Sequence, residues 1–130
     1  MTAVGALLGD LEASLRRDLS ADRSGTLARL TDLFIQNAAS LREDQIGVFD
    51  VVIGRLARAI ERGARIALSE RLAPVPNAPL GVVRQLALDE IAIARPVLVG
   101  SARLSDDDLV AVAAAKGREH MLAISERPEL

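Results

Sequence analysis

The stretch Ala73-Pro-Val-Pro-Asn-Ala-Pro79 contains three of the five prolines in a chain of 130 residues. Proline has no backbone N–H and a fixed φ angle, so Pro74 ends the preceding helical pattern and Pro76 prevents its resumption. Asn77 suits the N-cap of a following helix, and Pro79 suits its first turn. The stretch therefore predicts the end of one helix, an extended linker and the start of the next helix. A rigid loop that grips a ligand is the alternative interpretation, although no reactive side chain adjoins it.

Before this stretch, apolar residues recur every three or four positions, which is the period of one helix face. They predict helices over about residues 2–19 and 22–39, and a third whose apolar stripe runs from Ile46 to Ile60. Ser40 and Glu43 form a capping-box pattern at the start of the third helix. A fourth segment over about 64–72 either continues the third helix through Gly63 or follows a break there. Convincing alternation of apolar and polar residues is missing, so we predict no strands.

After the proline-rich stretch, the same pattern predicts four further helices, over about 79–88, 90–99, 105–116 and 118–127. Asp89 is the expected cap of the second of these, which Pro96 should kink or shorten. Ser105 is the expected cap of the third, whose first turn carries the acids Asp106 to Asp108, favoured there by the helix dipole.

Short segments of this half recur at a spacing typical of helical hairpins. ALSERLA (67–73) resembles AISERPE (123–129), and ARIAL (64–68) resembles ARPVL (94–98). A period near 28 to 30 residues indicates hairpins that stack in series, as in solenoid proteins, with coincidence among common residues as the alternative. The last unit has no second helix, so we expect a longer protein or a partner that covers this end.

Composition limits the classes of function. Hydrophobic residues make up 50% and charged residues 26%, which is typical of a globular domain. Cysteine is missing from the sequence, which excludes thiolate catalysis and Cys-based zinc sites. The net charge is −2, and arginines alternate with acids as on a solvated helix face. The N-terminus is a poor secretory signal and no apolar run could span a bilayer, so we predict a cytoplasmic protein without membrane association.

Candidate chemical groups are few and lack the companions that catalysis requires. His120 is the single histidine, and we expect it at the surface or half-buried rather than as a metal ligand. The consecutive acids after Ser105 lack the alternation of a calcium loop. Ser69 and Ser125 have no adjacent base with an orienting acid, and no phosphate-binding glycine motif occurs. We therefore predict no catalytic, cofactor-binding or metal-binding residues and no enzymatic activity.

Two sets of charged residues have structural interpretations. Asp32 and Asp50 lie in apolar segments, where a paired acid site is the functional hypothesis and ion pairing or exposure is the favoured alternative. Arg65 and Arg95, 30 residues apart, are expected to form a ladder of buried hydrogen bonds with Asp89 or Glu61.

The apolar stripes of the second and third helices predict a possible interaction surface. Val48 and its neighbours widen the third helix's apolar arc beyond a narrow seam, which motivates a homodimer through the N-terminal helices. The predicted surface residues are Leu27, Leu30, Phe34, Val48, Phe49 and Val52.

Several motifs together resemble a bacterial, mainly alphaproteobacterial, family of unknown function, domain of unknown function 2336. They include LSERLAPVPNAP (68–79), LALDEIAIARPVL (86–98), LSDDDLV (104–110) and EHMLAISERPEL (119–130), and the resemblance covers about residue 22 onward. It implies a longer protein with further helices and no assigned catalytic or cofactor residues. Its helical repeats look similar to the HEAT type, which by analogy implies scaffolding.

We therefore predict an all-α fold: an N-terminal three-helix segment over 1–63 that continues into short HEAT-like hairpins over 64–130. We expect the two parts to pack as one domain that is truncated at its C-terminus. The predicted function is protein–protein interaction or scaffolding through helical surfaces. The alternatives are an enzyme with an unrecognised active site, or a weak nucleic-acid binder through Arg55, Arg58, Arg62 and Arg65.

Overall fold

A computed structural model describes residues 23–128, and in this range the secondary structure is entirely helical. The elements are α1 (Arg23–Asn37), a 3₁₀ turn (Ala38–Ser40), α2 (Glu43–Arg58), α3 (Arg62–Leu72), α4 (Leu80–Ala87), α5 (Ile91–Gly100), α6 (Asp106–Lys116) and α7 (Arg118–Ser125). The prediction of an all-α fold is confirmed for these residues. The helix predicted over about 2–19 lies outside them.

The chain divides into two compact units, residues 1–61 and 62–130. In the first unit, α1 packs against α2, and both helices bury the apolar stripes that the sequence predicts. Phe34 and Phe49 meet edge to face, with ring centroids 5.4 Å apart and an interplanar angle of 67°. Such pairs add about 0.5–1.5 kcal/mol to the free energy gained from burying the two rings.

The start of α2 differs from the predicted capping box. Ser40 belongs to the 3₁₀ turn, and its hydroxyl donates to the Asn37 carbonyl at 3.0 Å. The N-terminal cap is formed two residues later, where the Gln45 side chain accepts from the Arg42 N–H at 2.8 Å. The prediction was wrong because the extra 3₁₀ turn satisfies Ser40 locally and moves the helix start to Glu43.

The break between α2 and α3 comes before Gly63. The α2 helix ends at Arg58, the Ala59 N–H donates to the Leu56 carbonyl at 3.0 Å, and α3 begins at Arg62. Gly63 therefore lies in the first turn of α3, so neither a continuous helix nor a break at the glycine is correct. A glycine in a first turn costs too little free energy to end a helix.

In the second unit, α5 is the central helix. It packs against α3, α4 and α7, and it buries Ile93, Ala94, Val97 and Leu98 completely. The helices α3, α5 and α7 thus lie side by side in series, with α4 against α3 and α5 and with α6 against α7. Each fully buried aliphatic side chain contributes about 1.5–3 kcal/mol, so α5 supplies much of the unit's hydrophobic stabilisation.

The proline-rich stretch separates two helices, as predicted, but it is not extended. The Val75 N–H donates to the Leu72 carbonyl at 3.1 Å, and the Ala78 N–H donates to the Val75 carbonyl at 3.2 Å, which makes two successive turns. Pro79, rather than Asn77, occupies the N-cap position of α4. The Arg103 Nε donates to the Ala78 carbonyl at 2.6 Å and so attaches these turns to the segment after α5.

Pro96 does not shorten α5, which continues to Gly100. The Ser101 N–H still donates to the Val97 carbonyl at 3.0 Å beyond the proline. The predicted range of about 90–99 is therefore confirmed, shortening at Pro96 is not observed, and the alternative of a kink stays a prediction. Apolar residues on both sides of Pro96 are buried. Their packing offsets the hydrogen bond that a proline cannot donate.

None of the helices within residues 23–128 is long and apolar enough to cross a bilayer.

Gly117 is the single residue between α6 and α7. Its φ of 106° and ψ of −150° place it in a backbone region that is essentially restricted to glycine. We predict that Gly117→Ala lowers the free energy of unfolding by about 1–3 kcal/mol, because alanine is strained in this conformation. Chemical denaturation followed by circular dichroism measures the change.

Gly63→Ala is the matched control for this substitution. A Cβ atom at either glycine has no neighbour within 4 Å, so the two positions differ in backbone conformation and not in crowding. Gly63 is helical, and its substitution should leave stability unchanged or raise it by up to about 1 kcal/mol. Equal effects of the two substitutions would contradict the strain argument.

Candidate functional site

The candidate functional site is an open groove between α6 and α7, with a volume of about 340 Å³. Its lining residues are Asp106, Leu109, Val110, Ala113 and Ile124. Val110 is 68% exposed although it is a large aliphatic residue, and Met121 and Leu122 on α7 are also exposed. The groove is therefore an apolar surface with one acidic end, contributed by Asp106 at the start of α6.

The N-terminus of α6, beside the groove, is fixed by a capping box. The Ser105 hydroxyl accepts from the Asp108 N–H at 3.1 Å, and the Asp108 carboxylate accepts from the Ser105 N–H at 3.0 Å. This confirms the predicted role of Ser105. Asp108 also accepts from the Arg84 Nε at 2.9 Å. Although burial alone would raise the pKa of Asp108, the bonds from Ser105 and Arg84 lower it below its usual value.

Helix α7, the other wall of the groove, is attached to both ends of α5. At the start of α5, the His120 Nε2 lies 2.8 Å from the Asp89 carbonyl oxygen. At its end, the Arg127 guanidinium donates to the Leu98 and Ser101 carbonyl oxygens at 2.6 and 2.8 Å. The last carbonyls of a helix have no partner within the helix, so Arg127 satisfies groups that would otherwise be buried without a hydrogen bond.

Asp89 connects three helices through separate atoms. One carboxylate oxygen accepts from the Arg65 Nε of α3 at 2.9 Å, and the other accepts from the Glu90 N–H at the start of α5, at 2.8 Å. Its carbonyl oxygen is the partner of His120 on α7. The predicted pairing of Arg65 with Asp89 is confirmed. Arg95, the second arginine of the predicted ladder, instead pairs with Glu126 at the surface.

The histidine and the two serines that the sequence offers as candidate chemical groups differ in burial. His120 is buried more deeply than expected, because its ring lies between α7 and the start of α5. Ser69 is fully buried, and its hydroxyl has no hydrogen-bond partner among the described residues. Ser125 is exposed and donates to the Leu122 carbonyl.

Within residues 23–128, no three His, Asp or Glu side chains are grouped so that they could bind a metal ion. Asp32 and Asp50 are both half-buried.

Of the six residues predicted to form the interaction surface, four are buried in the core. Leu27, Leu30, Phe34 and Phe49 are core residues, at most 2% exposed. Val52 is half-buried, whereas Val48 is 41% exposed. Val51, which widens the same apolar arc as Val48 and Val52, is 56% exposed. The accessible part of this surface is therefore the outer side of α2 and not the stripe that faces α1.

Two arginines of the nucleic-acid hypothesis are paired with acids. Arg62 pairs with Glu90, and Arg65 pairs with Asp89. Arg55 and Arg58, in the last turn of α2, are exposed.

Sequence reasoning did not identify the α6–α7 groove, although it contained a signal for it. The apolar run around Val110 is wider than one helix face needs. This width predicts apolar surface on α6 that the core does not cover. The particular residues depend on the angle that the single-residue Gly117 turn sets between α6 and α7, which periodicity does not encode.

A family model described as "Uncharacterised protein conserved in bacteria (DUF2336)" matches residues 93–130 of the chain. The match confirms the family resemblance over this segment, which includes most of α5 and all of α6 and α7. The similar motifs that precede residue 93 lie outside the matched range. No curated protein and no solved structure matches the chain.

The buried hydroxyl of Ser69 generates a stability prediction. Ser69→Ala removes an unsatisfied polar group, so it should raise the free energy of unfolding by about 1 kcal/mol. Ser125→Ala is the control, since this second serine of the repeated motif is exposed, and its substitution should change stability by less than about 0.5 kcal/mol. Urea denaturation of both variants provides the measurement. A destabilised Ser69→Ala variant would show that the hydroxyl has a partner.

The lowered pKa of Asp108 generates a pH prediction. Because the folded-state pKa lies below the unfolded value, Asp108 stabilises the fold fully above the unfolded pKa. This contribution is lost as the pH falls from about 5 through the folded pKa. Asp108→Asn should therefore be less stable than the wild type at pH 7, and the difference should disappear in strong acid.

Denaturant midpoints at a series of pH values measure this difference. Asp107→Asn is the control, because Asp107 is exposed and shares the first turn of α6 without the bonds from Ser105 and Arg84. Its substitution should cost clearly less at neutral pH. A difference for Asp108→Asn that stayed constant down to strong acid would contradict the ionic origin of the effect.

Proposed function

We propose that the chain is a protein–protein interaction module that binds a partner helix in the α6–α7 groove. The observation that carries the proposal is the exposure of Val110 beside Leu109, Ala113 and Ile124. Apolar grooves between helices receive the apolar face of an amphipathic helix, whose own anchor residues recur at i, i+3, i+4 and i+7. A volume near 340 Å³ suits a few aliphatic side chains from such a helix.

We also propose that the second unit is a short HEAT-like array. The side-by-side order of α3, α5 and α7, with α4 and α6 as the intervening helices, supports this interpretation. In such arrays each helix pair covers the apolar side of the previous pair. The groove lies on the pair α6–α7. A cytoplasmic location stays a prediction from the N-terminal sequence.

The use of charged groups supports binding rather than catalysis as the role of this unit. Asp89, Asp108 and Glu126 each pair with an arginine on another element or segment, so their charges stabilise helix packing. His120 is directed at a backbone carbonyl. An enzyme would instead concentrate groups with shifted pKa values in its cleft, and this groove has one exposed acid among aliphatic residues.

A photo-crosslinking residue at position 110 tests the proposal in the native bacterium. We expect a discrete adduct from position 110 and none from position 88, because Leu88 is an exposed leucine outside the groove. Adding Ala113→Glu should remove the adduct, since a carboxylate in the apolar groove opposes helix docking while alanine-to-glutamate changes preserve helicity. Equal adducts from both positions, or none from position 110, would contradict the proposal.

A further inference from the structure

We propose that the occupant of the α6–α7 groove is the outer side of α2 from a second copy of the chain. This inference rests on the proposed function, because it names the partner of the same groove. The contact joins two different surfaces, so each copy offers one groove and one helix. Copies therefore associate head to tail rather than through a symmetric pair of identical surfaces.

The first observation is an exposed stripe on α2. Val48, Val51, Arg55 and Arg58, here called the valine–arginine stripe, are spaced at three and four residues and share one side of the helix. All four are exposed, and Val51 is 56% exposed at the centre of the stripe. The opposite side of α2 carries Phe49, whose ring meets Phe34 of α1, and the buried Ile53. Among residues 23–128 the stripe is thus an exposed surface apart from the packing of α1 against α2.

The second observation is charge complementarity between this stripe and the groove. The groove ends at Asp106, and Asp107 lies next to it, both exposed at the start of α6. The stripe ends with the exposed cations Arg55 and Arg58. An acidic end beside an apolar groove favours an occupant that has cations at one end of its apolar surface. The stripe on α2 has this arrangement.

The third observation is that the two surfaces match in length. Val48 and Arg55 are seven residues apart on α2, and Ala113 and Asp106 are seven residues apart on α6. At 1.5 Å of rise per residue, each pair spans about 10 Å. An antiparallel alignment therefore places Val48 at Ala113, Val51 near Val110 and Arg55 at Asp106.

Helix polarity favours the same alignment. Acids at a helix N-terminus and cations at a C-terminus are both stabilised by the helix dipole, and the two sets meet when the helices run antiparallel. A parallel alignment would place the arginines of α2 at the other end of the groove, beside Lys116 and Arg118. Like charges there would oppose it. The direction of docking is thus set by charge, while the valines supply the apolar contact.

The expected association is weak. One helix stripe in one groove buries less surface than the roughly 1,600 Å² of a standard interface. We therefore expect a dissociation constant of about 10–100 μM and an average mass that keeps rising with concentration, since a head-to-tail contact does not close with two copies. Sedimentation velocity over about 5 μM to 1 mM covers this range.

The decisive experiment mixes two single-surface variants of the full chain. Val51→Glu disables the stripe and Val110→Glu disables the groove, and both positions are exposed, so folding should be retained. Each variant alone should remain monomeric over the whole concentration range. An equimolar mixture should form a dimer and nothing larger, because one intact stripe meets one intact groove. Leu88→Glu, at an exposed leucine elsewhere, should associate like the wild type.

A charge exchange tests the alignment. Arg55→Glu and Asp106→Arg should each weaken association by about three- to tenfold, because each brings like charges together. The double variant should recover most of the wild-type affinity. Failure of this recovery, with both single variants weakened, would overturn the antiparallel alignment.

Failure of the inference is distinguishable from failure of the proposed function. A monomeric wild type whose position 110 crosslinks to a different protein would overturn the second copy as occupant and leave the proposed function intact. A monomeric wild type without any adduct would overturn both. Association that persists in Val110→Glu alone would also overturn the inference, since it would require a contact that does not use the groove.

Discussion

Hydrogen bonds from α7 and the segment after it attach to the chain at both ends of α5, and the second unit is organised around these contacts. A helix that is apolar on most sides can be buried at the centre of a unit, but its terminal N–H and carbonyl groups then need partners from elsewhere. At the start, Asp89 accepts from the Glu90 N–H, and its own carbonyl oxygen meets His120. At the end, Arg127 donates to the Leu98 and Ser101 carbonyls. The packing of α7 against α5 and the hydrogen bonds of His120 and Arg127 therefore both hold α7 beside α5.

The same contacts determine which side of α7 is buried. His120 and Ala123 are buried, and the His120 ring lies against the start of α5, whereas Met121 and Leu122 are exposed. Helix α6 packs against α7 with Gly117 as the single residue between them. On α6 Leu109 is buried, whereas the next residue, Val110, is exposed and lines the groove.

The sequence predicted the helices well where periodicity and capping agree. Ser105 and Asp108 form the expected capping box, and Arg65 pairs with Asp89 as the repeat spacing suggested. The sequence-based prediction failed where a capping pattern competed with a tendency to form a turn. Ser40 donates its hydroxyl within a 3₁₀ turn instead of capping α2. Pro96 does not shorten α5, because the burial of this helix, a tertiary effect, outweighs a local helix-breaking tendency.

The candidate site was harder to predict than the helices, for a physical reason. Periodicity identifies which residues of a helix share a face, but not which of two apolar faces the core covers. On α2 the covered face is that of Phe49, which leaves Val51 exposed; on α6 it is that of Leu109, which leaves Val110 exposed. Val110 directly follows the core residue Leu109, and Val51 lies two residues after the core residue Phe49. The width of each apolar arc was visible in the sequence, but its division between core and surface depends on helix packing angles.

Charge then separates the groups that build the fold from those that remain for recognition. Asp108 is bound to Ser105 and Arg84, so the third acid of α6 stabilises the helix start and its contact with α4. Asp106 and Asp107 precede it in the same turn and remain exposed at the end of the groove. One acid is enough to complete the capping box, so Asp106 and Asp107 are not needed for it. Because Asp106 lines the end of the groove, charge complementarity favours an occupant with a cation at that end and so sets its direction.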